Sequence, residues 1–231
     1  MAELAHLKPC FAVPEARHGS LEKPEIQIVI DTLGMQPHIR GGGGYRAETD
    51  RHPSSVVAGG SEFPPDEAPS SPSSKLRSAS STSLHLITPN SPQSYLHRTR
   101  ERTVHTLHRG RGRIVVIHDA DESTQTGARS GGVGYRVESF VVGHNVAAGE
   151  RLQWVVEAGK YRASFLLPDR DGEMESKAGL LVSETSVPGL LDSASDREFL
   201  DRDGLRKLLR NDDARELEWL VRPEQIKGQG P

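Results

Sequence analysis

"RTVHTLHRGRGRIVVIH", residues 102–118, consists of two runs of alternating residues joined by a turn that holds Gly110 and Gly112. In the first run Thr103, His105 and Leu107 share one side, while Val104, Thr106 and His108 share the other. That is the period of a strand, whose side chains point to opposite faces in turn. The second run is rich in Ile and Val, the residues that fit a pleated surface best. The same period of two continues on both sides, in "LHLI" from residue 84, "YRVESFVVG" from 135, "RLQWVVEAG" from 151, "YRASFLLPD" from 161 and "GLLVSETSVPG" from 179. Turn-forming residues separate these runs at short intervals, which predicts a small all-β sandwich or barrel.

Helices flank the strands. In "KPEIQIVIDTLGMQPH" Pro24 suits a first helical turn, and Ile26, Val29, Ile30 and Leu33 recur at steps of three and four. Gly34 suits the end of that helix. A second helix starts at Asp201 as its cap, with Leu205, Leu208 and Leu209 on the buried side. The domain is expected over 23–210, with residues 1–22 as a flexible N-terminus and 211–231 as a C-terminal tail, within which "ARELEWLVRPEQ" can add a short amphipathic piece. Ser, Pro, Gly and Ala dominate the region from about 52 to 82, too little apolar area to offset the entropy of ordering, so a disordered insertion is expected there. Ser71 and Ser91 each precede a proline, a pattern that composition alone also produces.

Composition narrows the function classes. The chain has 231 residues, of which 34% are hydrophobic, and its 29 basic and 32 acidic residues leave a net charge of -3. This balance argues against bulk nucleic acid or an anionic membrane as the main partner. The lone Cys10 can form neither an internal disulfide nor a cysteine-based zinc site, which fits a reducing compartment. No apolar run is long enough to cross a bilayer, and the N-terminus lacks a basic head followed by a continuous apolar stretch. A cytoplasmic location is expected.

The order of "IDTLGMQPHIRGGGGYRAETDR" (30–51), "LHLITPNSPQSYLHR" (84–98), "LHRGRGRIVVI" (107–117), "VVGHNVAAGERLQWVVEAGKYRASFLL" (141–167) and "LVSETSVPGLL" followed by "REFLDRDGLRKLL" resembles the cupin superfamily, and within it the family of domain of unknown function 985 (Cupin_5), in what looks like a fungal branch. The likeness covers roughly residues 24–210 apart from the insertion. It implies a mainly β fold, a double-stranded β-helix or jelly-roll barrel with a pocket inside, carrying a short N-terminal helix and a C-terminal helix, and pairing as a homodimer. It supplies no settled activity.

Metal-binding cupins carry two histidines and a glutamate in a first motif and a third histidine in a later strand. Laid on this chain from Gly110, that pattern puts His97 at the first histidine, Thr99 at the second, Thr103 at the glutamate and Arg162 at the third histidine. Threonine is a poor ligand and a guanidinium repels a cation. His97 and His105 are the residual candidates for a metal, and no cofactor is expected. Against the uncharacterised family's own "EGGYFRET", this chain has Gly42 at the acidic position and Ala47 at the arginine position, and "RTVHT" stands where relatives carry "DEIWH". Carboxylates have thus given way to Thr, His and Arg.

If His97, Thr99, Thr103, His105, Arg113 and Arg162 line one cavity, the result is a cluster of donors suited to an anionic or sugar-like ligand. The bland alternative sends Arg113 and Arg162 out to solvent or pairs them with Glu157 and Glu138, and makes His105 a wall residue. By analogy with cupin epimerases, His97 or His105 is the candidate base and Tyr45, Tyr95 or Tyr161 the candidate acid. "GGGG" at 41 and "SGGVG" at 130 lack the ending of a phosphate loop, and a single "HRGRGR" in a slightly acidic chain is poor support for RNA binding. Three readings stay open. They are a metal-free small-ligand protein, with or without isomerase-like chemistry, a metal-dependent oxygenase or isomerase with unusual ligands, and a structural or interaction module with a filled barrel.

Overall fold

The computed structural model describes residues 7–11, 22–38, 42–57, 76–118, 135–170, 172–190 and 197–223. In chain order the elements are α1 (Pro24–Thr32), β1 (Gln36–Pro37), β2 (Tyr45–Arg51), β3 (Ser55–Val57), β4 (Leu76–Ser78), β5 (Ser81–Ile87), β6 (His97–Thr99), β7 (Arg102–Arg109), β8 (Gly112–His118), β9 (Arg136–Val142), β10 (Gln153–Val156), β11 (Tyr161–Leu166), β12 (Leu180–Val187), β13 (Arg197–Phe199), α2 (Arg202–Leu208) and α3 (Asn211–Leu217). One sheet has the order β1-β2-β5-β12-β7-β10 and the other β13-β6-β11-β8-β9, while β3 and β4 pair separately. Neighbours far apart in sequence, such as β5, β12 and β7, mean that the chain passes repeatedly between the sheets. That wiring is a jelly roll.

The alternation read from the sequence decides what each face packs against. Leu107, Trp154, Val156 and Leu180 from the larger sheet meet Ile114, Val116, Phe140, Val142 and Leu166 from the smaller one, and this forms the apolar half of the barrel interior. The outer face of the smaller sheet, with Val115, Ile117, Ala163 and Phe165, is covered by Leu205 on α2, by Leu209 at its end and by Leu217 on α3. Helix α1 lays Ile26 and Ile30 on Leu86 and Leu181 of the larger sheet's outer face. The turn at Gly110 carries β7 into the opposite sheet. Its φ is +83°, and a Cβ there would run into the carbonyl oxygen of Gly179, so only glycine fits.

Three expected boundaries need correction. Within the N-terminal segment read as flexible, Leu7 is fully buried and its carbonyl accepts a hydrogen bond from Trp219 Nε1 at 3.1 Å. The C-terminal tail supplies core side chains, since Ala214, Leu217, Leu220 and Val221 are all buried. At the ends of the expected insertion, residues 55–57 and 76–78 pair as β3 and β4, and Arg77 forms a buried ion pair with Glu101. Local composition could not show these contacts because their partners lie far along the chain. Residues 58–75, which include Ser71, lie outside the described residues, as does "SGGVG" at 130. Ser91 is described, and its Oγ accepts from the Gly44 N–H at 2.7 Å. No helix of the described residues is long and apolar enough to cross a membrane.

The buried tail makes a direct prediction. Leu217→Ala is expected to cost about 2–3 kcal/mol, because it leaves a cavity beneath α3. A fall in the urea midpoint at unchanged slope checks it.

Candidate functional site

The polar half of the barrel interior surrounds a cavity of about 70 Å³. Strand pairing brings its walls together. Glu184 on β12 lies opposite His105 on β7, and Arg162 on β11 lies opposite His97 on β6. His85 on β5 pairs with Val182 on β12, and Arg197 on β13 with Thr99 on β6. All of these except Thr99 line the cavity, along with His38, and Ile87, Ile114, Trp154, Leu180 and Val182 supply its apolar side.

Glu184 is the centre of the polar wall. Arg162 Nη2 donates to its Oε2 at 3.0 Å, and Arg162 Nη1 donates to Thr99 Oγ1 at 3.2 Å. Arg197 Nη2 stands 3.8 Å from Glu184 Oε1, and His105 Nδ1 stands 3.8 Å from Oε2. Burial opposes ionisation of Glu184, yet the charges of Arg162 and Arg197 hold its carboxyl well below the usual range. It is a carboxylate at neutral pH.

The imidazoles are held neutral. Burial and the charge of Arg197 push His38 down to about 2, and Arg197 Nη1 donates to its Nε2 at 2.7 Å. Burial outweighs the pull of Glu184 and takes His85 to about 3 and His105 to about 4. Burial, then Arg162 and Arg197, lower His97 well below its ordinary value. Its Nδ1 bonds the Tyr95 carbonyl at 2.8 Å, which puts the proton there and leaves Nε2 as the acceptor. His105 shares a 3.0 Å hydrogen bond with Thr103 Oγ1 and stacks flat on Trp154 at 5.0 Å. Two buried atoms of the lining residues, Glu184 Oε1 and His85 Nε2, have no hydrogen-bond partner among the described residues.

Of the six residues singled out in the sequence, His97, His105 and Arg162 line the cavity. Thr99 and Thr103 are buried behind it, holding Arg162 and His105. Arg113 does not join them. Ile114 takes the inward position on β8, so strand alternation sends Arg113 to the opposite face, near Arg111. The suggested pairing of Arg162 with Glu157 or Glu138 is also corrected, since Glu157 pairs with Arg102 and Glu138 with His118 and Arg151. Tyr45 and Tyr161 donate to Glu22 and Glu198, and none of the three candidate tyrosines is a lining residue.

Sequence reading missed Glu184, His85, His38 and Arg197. Glu184 had a signal, a single carboxylate on the same side of an alternating strand as Leu180 and Val182. His85 sits in "LHLI", where both faces carry apolar residues and neither stands out. His38 and Arg197 lie at or beyond strand ends and carry no periodic mark.

The residues do not fit a divalent metal. The guanidinium of Arg162 occupies the third histidine position and is bonded to Glu184 and Thr99. Among the described residues no group of three or more His, Cys, Asp or Glu side chains is arranged to hold an ion.

Comparison with known proteins agrees with this architecture. An uncharacterized protein of Saccharomyces cerevisiae, YML079W, is 34% identical over 215 residues, covering 91% of this chain and 94% of the yeast protein. A hypothetical protein from Leishmania major superposes with a TM-score of 0.58 at 22% identity, covering 84% of this chain and 95% of that one. Protein SO0799 from Shewanella oneidensis gives 0.59 at 19% identity, with coverages of 86% and 98%. The family described as Cupin superfamily (DUF985) matches residues 27–197, and with the jelly roll and the yeast relative on the same side, the chain belongs to that family.

Proposed function

We propose that this chain is a small-molecule-binding protein whose barrel cavity takes an anionic or sugar-like ligand without a metal. The observation that carries the reading is the pair of buried polar atoms without a hydrogen bond among the described residues, Glu184 Oε1 and His85 Nε2, on residues that line a cavity with an apolar opposite wall. Buried polar groups are normally satisfied, and a small ligand with a few polar groups satisfies them. Isomerase-like chemistry is less well supported than binding. General-base catalysis works best with a group that titrates near the working pH, and burial together with the arginines moves all four imidazoles away from that range. The proposal includes the homodimer that the family resemblance implies and the cytoplasmic setting that the sequence composition suggests.

Thermal unfolding of the full chain against a panel of sugars, sugar acids and small hydroxy acids tests it. A ligand present at about 100 times its dissociation constant stabilises by about 2.7 kcal/mol, so one compound class is expected to raise the Tm by several degrees. The rise should vanish in Arg162→Gln. A flat response across the panel would sink the reading.

A further inference from the structure

Glu184 and His85 project from neighbouring strands into one cavity. On β12 and β5, Glu184 lies opposite Ser83 and His85 opposite Val182, so the two are diagonal neighbours on the inner face. Diagonal neighbours stand about 7–8 Å apart at the backbone, within reach of aromatic and long side chains. Yet Glu184 Oε1 and His85 Nε2 are both buried with no hydrogen-bond partner among the described residues. Arg197 Nη2, at 3.8 Å from Glu184 Oε1, is beyond hydrogen-bond distance.

The chemistry of these two atoms selects their partner. An ionised carboxylate only accepts, so the group beside Glu184 Oε1 has to donate. The neutral imidazole nitrogen of His85 accepts or donates according to its tautomer, and a hydroxyl meets it in either case. The guanidiniums near the cavity are engaged already, Arg162 with Glu184 and Thr99, Arg197 with His38, and Arg46 with Glu48 and Ser83. They set no separate demand for an anion. Arg162 also balances the charge of Glu184, so an ammonium would be a second cation on one carboxylate. Hydrogen phosphate can donate to Glu184 through its P–OH, but it brings no carbon to the apolar wall of Ile114, Leu180 and Val182.

We propose that the cavity binds a short neutral polyol, which donates one hydroxyl to Glu184 Oε1, places another at His85 Nε2 and lays its carbon chain on the apolar wall; this rests on the cavity being a ligand site. Size agrees. One water needs about 10–15 Å³ of such space, so about 70 Å³ holds roughly five to seven water-sized groups. That suits a chain of about three or four carbons with its hydroxyls rather than a nucleotide.

Isothermal titration of the full-length protein at pH 7, purified without glycerol, with glycerol, erythritol, 1-propanol and inorganic phosphate tests the proposal. The better of the two polyols is expected to bind at least about tenfold tighter than 1-propanol, a margin that one added buried hydrogen bond supplies, and tighter than phosphate. In His85→Phe, which keeps a ring but removes Nε2, the advantage over 1-propanol is expected to shrink. The wild-type comparison decides the matter even if the variant folds poorly. If 1-propanol binds as tightly as the polyols, the second hydroxyl is overturned and the polyol with it. If phosphate binds tighter than both polyols, the polyol is overturned in favour of an oxyanion while the ligand-site reading stands. The same holds if neither polyol binds and an acid from the thermal panel does. If nothing binds at all, the ligand-site reading falls too.

Discussion

Glu184→Ala is expected to destabilise the fold by about 3–5 kcal/mol, the cost of leaving a buried charge without its partner. Arg162 is buried and gives one donor to Glu184 Oε2 at 3.0 Å, while Arg197 stands 3.8 Å from the other oxygen. Removing the carboxylate leaves two guanidiniums on strands either side of β6, lining one cavity, with no counter-charge among these three. The double variant Glu184→Leu with Arg162→Met is expected to recover most of the loss, because apolar residues of similar volume replace a buried ion pair at little net cost. Thr99 keeps a partner in that variant, since its hydroxyl donates to the Glu101 carbonyl at 3.2 Å. The control is Arg102→Ala at the exposed pair with Glu157, where under about 1 kcal/mol is at stake. Urea midpoints for the three variants, read at constant slope, give the answer. Equal losses at Arg102 and Glu184 would mean that the cavity wall is as solvated as the surface.

The difference between those two ion pairs also marks how much of this protein was legible beforehand. Strand positions could be read because burial repeats every second residue. In β7, Thr103, His105 and Leu107 are buried and His108 is exposed, the division that alternation predicts. The same rule in β8 placed Arg113 incorrectly only because its face was chosen by residue type instead of by its neighbours, and Ile114 holds the inward position. Contacts between distant segments left no local trace. Arg77 reads as one cation in a Ser-rich segment, yet it is buried against Glu101. Likewise Leu217 belongs to a charged tail in the sequence and to the core in the fold. The partner of Arg162 was equally hidden, because Glu184 comes 22 positions later and meets it across the interior from the opposite sheet. Chemistry local to a strand was readable; the pairing that sets the charge of the cavity required the fold.

That charge predicts a steep loss of stability in mild acid. His38, His85, His97 and His105 all have folded pKa values below the ordinary 6.5, set first by burial. The unfolded chain takes up a proton at each below about pH 6.5 while the native state does not, so stability is full above that pH and falls as pH drops toward the folded values. Each histidine contributes about 1.4 kcal/mol per pH unit, so the four together remove roughly 5 kcal/mol per unit until His105 begins to titrate in the native state near 4. Glu184 adds to the loss at the acid end. Its folded pKa is depressed, so its contribution is present above about 4.5 and disappears as pH falls through the folded value. Against the 5–15 kcal/mol typical of a folded domain, this places acid unfolding between about pH 5.5 and 4. The slope of stability against pH near 5.5 counts the protons directly, and about three to four are expected to be taken up on unfolding. His97→Gln should lower that number by about one. A slope near zero would mean that the imidazoles already carry protons in the native barrel, and the cavity would then hold a far larger positive charge than its two lining arginines supply.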